Sequence, residues 1–198
     1  MINRVGLALT ISMALPGQQT FAFEQLDQRD SVFVFGGAML ADHLSFRTLI
    51  PFATDPEDNY IAGVAYERHL YDLMAGFDLG FEIGVAGRFG DDSSLEGWLG
   101  PSIRHQGISI GSLTVSPGIV VGVSAVSDSI GMERVRESAN GGDATLLFYL
   151  GPEIAFKFEQ LPNFEFVYRV HHRSGIDGTL GDMGEGHNAN IFGVRRRF

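Results

Sequence analysis

Residues Asn163 to His172 read NFEFVYRVHH. One parity holds Phe164, Phe166, Tyr168 and Val170, and the other holds Glu165, Val167, Arg169 and His171. Side chains alternate across a strand with period two, so this segment has one apolar face and one charged face. The apolar face continues upward into His172 and Ser174, at i and i+2. A Gly- and Asp-rich loop, GIDGTLGDMGEGH, follows, and Asn188 to Phe198 (NANIFGVRRRF) reads as a closing strand. The two strands form a hairpin.

The same alternation extends backward through the chain. Its clearest instance is Leu73 to Gly87, where Leu73, Ala75, Phe77, Leu79, Phe81, Ile83 and Val85 oppose Met74, Gly76, Asp78, Gly80, Glu82, Gly84 and Ala86. A helix would scatter these residues around its axis, so the period is that of a strand. Further strands are expected over Ser31–Leu40, Tyr60–His69, Leu95–Arg104, Leu113–Ala125 and Thr145–Phe158, which makes eight with the hairpin. Ala41–Asn59 reads as a long acidic loop and Val126–Asp143 as a long charged one.

An even number of strands, each long enough to cross a bilayer when tilted, with long and short connections alternating, is the pattern of an outer-membrane barrel. The minor face carries Asp78, Glu82, Glu153, Lys157, Glu165, Arg169, Arg195 and Arg197 among glycines. An eight-stranded lumen is narrow and filled by side chains, so small residues and opposite charges fit inside while the large apolar face meets lipid. A soluble ligand-carrying barrel would be built the other way round. The expected fold is all-β: an eight-stranded antiparallel transmembrane β-barrel over 23–198, after a signal peptide at 1–22.

That N-terminal segment has Arg4, an apolar run from Val5 to Leu15, a Pro16-Gly17 break and a Thr20-Phe21-Ala22 cleavage site. The run is too short to span a bilayer. The chain of 198 residues carries a formal charge of −10, which argues against a nucleic-acid partner. It has no cysteine, which excludes disulfides, thiolate zinc sites and a cysteine nucleophile.

His172 and Ser174 sit on one face, about 7 Å apart along the strand, within the lean of an imidazole. A serine needs such a base to become a nucleophile. Two residues are a short motif, and polar residues also commonly end transmembrane strands, so the pair alone leaves both readings open. His172-Arg173-Ser174-Gly175, the Gly-rich loop and the aromatic C-terminus resemble the outer-membrane lipid A 3-O-deacylase family, whose relatives are often labelled acyloxyacyl hydrolase-like. The specific resemblance covers about the last 30 residues, and the remainder matches in architecture.

The resemblance implies a triad of His172, Ser174 and an acid near the start of the last strand. Glu185, in the loop, is the preferred third member, and Asn188, on the outward parity of the last strand, is the alternative. Family members usually carry Asn after the serine. Here that position is Gly175, whose N–H is a candidate oxyanion donor. The implied activity is hydrolysis of an ester-linked acyl chain of lipid A, with no cofactor and no metal. The implied partners are lipopolysaccharide and outer-membrane lipid in a Gram-negative outer membrane, and a homodimer is left open. The rival reading is a non-catalytic structural or adhesin-type barrel acting through its long external loops.

Overall fold

The structure, a computed structural model, describes residues 29–198. The expected signal peptide lies outside the described residues. Among the described residues nine strands form one antiparallel sheet: β1 (Asp30–Leu40), β2 (Pro56–Asp72), β3 (Phe77–Phe89), β4 (Ser93–His105), β5 (Ile108–Ile110), β6 (Leu113–Val126), β7 (Leu146–Phe158), β8 (Phe164–Ser174) and β9 (Glu185–Arg197). Each long strand pairs with its sequence neighbour, and β4 pairs with β6. The β1–β9 pairing, from Ser31↔Arg197 to Leu40↔Asn188, closes the ring into an eight-stranded barrel. β5 is a short ribbon added to β6 below the ring. Closure leaves the eight-stranded ring itself without an open edge, which is the condition for a sheet to cross lipid. Among the described residues no helix is long and apolar enough to cross a membrane, so the crossing belongs to the strands.

The alternation sorts the faces as expected. Phe77, Phe81, Ile83, Val85, Leu95, Leu99, Ile103, Val121, Ile154, Phe166 and Val194 lie on the outside with much of their surface exposed. The inside is a charged plug. Arg169 donates to Glu82 at 2.6 and 2.7 Å and to Glu153 at 2.7 and 2.9 Å. Arg195 joins Glu153 to Glu165, and Arg104 reaches Glu67, Glu82 and Glu153. Trp98, Tyr149 and His171 pack in the same lumen, with the Trp98 indole donating to Glu82. Phe33 and Phe35, on a strand whose facing the sequence leaves ambiguous, also point inward. Removing one member of such a buried network leaves its partners uncompensated, which is strongly destabilising.

Two expectations are corrected. Leu73 to Gly76 are a turn and not the start of β3, because Ala75 and Gly76 adopt positive φ and reverse the chain. The charged loop after β6 contains a helix, α1 (Gly131–Asn140), ended by Gly141 in the left-handed conformation. α1 caps the outer mouth of the barrel. Its Glu133 is fully buried between Arg88 and Arg173.

Candidate active site

β8 carries His172 and Ser174 to the loop-bearing outer end of the barrel, both on the outward face. His172 pairs in register with Leu150 of β7 and Asn188 of β9. His171, one residue earlier, points into the lumen and bonds Tyr149 and Glu96.

On strict alternation Asn188 faces outward and Glu185 faces inward. A β-bulge at Gly186 overrides that parity. Arg173 pairs with His187 and Ser174 with Glu185, so Gly186 is the extra residue and Glu185 returns to the outer face. Glu185 is thus the first residue of β9 and not part of the loop. A side chain at 186 would press on Leu147 at 2.6 Å and on the Arg173 carbonyl at 2.9 Å, so the bulge needs glycine. Arg136 of α1 holds it, donating to the Gly186 carbonyl at 2.8 Å and to the Ala41 carbonyl at 2.7 Å.

Both expected third members therefore reach the imidazole, in a definite order. His172 Nδ1 lies 2.7 Å from Asn188 Oδ1 and 3.8 Å from Glu185 Oε1. Asn188 Nδ2 donates to the Asp42 carbonyl at 2.8 Å and to Glu185 Oε1 at 2.9 Å. Those two partners are acceptors only, so the amide must present its oxygen to the imidazole. His172 Nδ1 then carries the proton and Nε2 holds the lone pair, which is the tautomer a general base needs. Glu185 also accepts from the Leu44 N–H and lies 3.2 Å from His43 Nδ1. Orientation comes from the neutral amide and negative charge from the carboxylate behind it.

Ser174 is held differently. Its hydroxyl donates to the Gly184 carbonyl at 2.9 Å and accepts from the Ile176 N–H at 3.1 Å. The Gly175 N–H donates to the same Gly184 oxygen at 2.8 Å. The expected nucleophile and the expected oxyanion donor thus converge on one loop carbonyl. Any side chain at position 175 would strike the Met183 carbonyl, which accounts for glycine where the resembled family has Asn. The loop closing over them holds Ile176 and Asp177 at a φ of 50°, a costly conformation for a β-branched residue.

The outer surface near His172 is not open to lipid. Residues 41–55 fold down over β8 and β9, and His172, Val170 and Asn188 are buried beneath them. Below lies an apolar groove of about 610 Å³, walled by Ile154, Phe156, Phe166, Tyr168, Phe192 and Val194 and roofed by Leu49 and Pro51. Sequence reasoning did not reach His43, Arg136 or the bulge. Only the Gly-Glu-Gly run at 184–186 hinted at irregular backbone.

No protein-family model matches the chain, and no curated protein matches its sequence. Solved structures match its fold. The outer membrane enzyme PagL is similar with a TM-score of 0.54 at 12% identity, over 85% of this chain and 99% of that one. Neisserial surface protein A is similar with a TM-score of 0.54 at 10% identity, over 87% of this chain and 98% of that one. At such identities the likeness is one of fold, and with the apolar outer wall it makes this chain an eight-stranded outer-membrane β-barrel.

Proposed function

We propose that this barrel is an outer-membrane esterase that removes an ester-linked acyl chain, the 3-O-linked one, from lipid A. The observation that carries the reading is the hydrogen-bonded row His172–Asn188–Glu185, assembled on the outward face by a bulge and ending beside Ser174. A purely structural wall gains nothing from a proton-accepting imidazole held in one tautomer there. The apolar groove below the row suits an acyl chain, and lipid lies along the outer wall around the strap, which brings substrate next to the groove although the row itself is covered. The similarity to an outer membrane enzyme supports the reading at the level of fold.

In the proposed reaction Ser174 leaves the Gly184 carbonyl and attacks the ester carbonyl, giving its proton to His172 Nε2. The proton then passes to the departing sugar alkoxide. Water releases the acyl group from Ser174 by the reverse use of the same base. Once the Gly184 oxygen has moved away, the Gly175 N–H that it occupied is left to face the developing charge on the ester oxygen. The 175–184 loop, and the 41–55 segment that covers His172, must therefore shift for turnover.

The test is mass spectrometry of lipid A from cells expressing wild type, Ser174→Ala or His172→Ala. Loss of one acyl chain with wild type only supports the esterase. Unchanged lipid A with wild type, or full deacylation by folded Ser174→Ala, returns the chain to the non-catalytic barrel reading. A homodimer is no part of the mechanism.

A further inference from the structure

We infer that residues 41–55 form a strap whose tip is inserted among the acyl chains of the outer leaflet, making this loop a lipid-contacting surface. The inference stands apart from the esterase reading. The strap is tied at its upper end by polar contacts, Asp42 to Asn188 and Leu44 to Glu185. From there it descends along the outside of the barrel. The Phe52 ring stacks on Phe192 of the outer wall, with centroids 5.5 Å apart and planes 10° apart. Phe192 is four residues below Asn188 on β9, which is about 13 Å along the strand. For strands tilted by 35–45° that is a depth of about 10 Å below the site, inside the apolar band.

The tip's free side is as apolar as the side it packs with. Phe46 is 78% exposed and Phe52 is 87% exposed, and Leu49 and Ile50 are exposed beside them. Between Phe46 and Ala53 the sole charge is Arg47, whose guanidinium is turned back onto the Ala53 carbonyl at 2.9 Å. The Thr48 hydroxyl is buried and donates to the Ser45 carbonyl, while the Ile50 and Ala53 N–H groups bond within the turn. Backbone and hydroxyl groups bonded within the turn, aromatics outward and, apart from Arg47, charges only at the two ends are the pattern of a segment lying in a membrane interface. The exposed patch is continuous with the lipid-facing wall, so lipid acyl chains are its occupant.

Phe46→Trp and Phe52→Trp variants test this in phosphatidylcholine vesicles with and without brominated acyl chains. Native Trp98 lies in the lumen at 2% exposure and supplies a background to subtract. Phe81→Trp on the wall marks lipid, and Asp92→Trp in the β3–β4 turn marks water. The expected result is blue-shifted emission, quenched by brominated lipid as in Phe81→Trp and untouched by aqueous iodide. Iodide quenching like that of Asp92→Trp, without lipid quenching, overturns the inference. Protection from both quenchers also overturns it and assigns the strap to a second copy of the chain. Gel mobility of boiled and unboiled samples reports folding. If Phe52→Trp disturbs its packing on Phe192, Phe46→Trp still decides the matter.

Discussion

Replacing Asn188 by Ala separates the two residues that stand behind His172. The change removes the acceptor of the Nδ1 proton and leaves that N–H and the Asp42 carbonyl unpartnered beneath the strap. A hydrogen bond to a group that becomes charged during reaction is worth about 1.5–3 kcal/mol. At 1.36 kcal/mol per tenfold, acyl release should fall by about 10- to 150-fold. Glu185→Gln keeps acceptors for Asn188 and Leu44 and removes only the negative charge, 3.8 Å from the imidazole. Because Glu185 is partly solvated, its charge is screened, and the loss should be under about tenfold. The assay is initial-rate acyl release from lipid A in detergent micelles, with substrate varied so that kcat and KM separate and gel mobility reporting the fold. Orientation of the base acts on kcat. If Glu185→Gln is as inactive as Ser174→Ala while Asn188→Ala remains near wild type, the carboxylate contacts the imidazole directly and the order argued here is wrong.

Other consequences follow from the same geometry. Ser174→Ala combined with His172→Ala should be no slower than either single variant, since a nucleophile without its base is idle; multiplicative losses in the rate assay would count against a shared step. Phe81→Arg, on the lipid-facing wall, should cost about 2–4 kcal/mol in a urea refolding titration in vesicles. Tolerance equal to that of Asp92→Arg would contradict the facing of β3. Arg169→Ala should cost about 3–5 kcal/mol in the same titration, toward the lower end because Arg104 and Arg195 still reach Glu82 and Glu153. A neutral result would mean that water fills the lumen and screens those acids.

The alternation in Asn163–His172 and Phe77–Gly87 was sufficient, from sequence alone, for the barrel, its inside and outside, and the outward placement of His172 and Ser174. Strand parity is a local property with a period of two, so it can be read wherever large apolar and small or charged residues take turns. Helix α1 escaped because its buried face is Glu133 and Arg136. A helix that docks by ion pairs and by hydrogen bonds to backbone carbonyls leaves no apolar stripe to detect. Choosing between Glu185 and Asn188 also lay beyond the sequence, since parity placed one inside and one outside. Only the Gly186 bulge, packed against Leu147 and held by Arg136 from helix α1, brings both to the imidazole. The strap over β8 and β9 is tertiary for the same reason: contacts such as Asp42 with Asn188 and Phe52 with Phe192 join residues that only the closure of β1 on β9 makes neighbours.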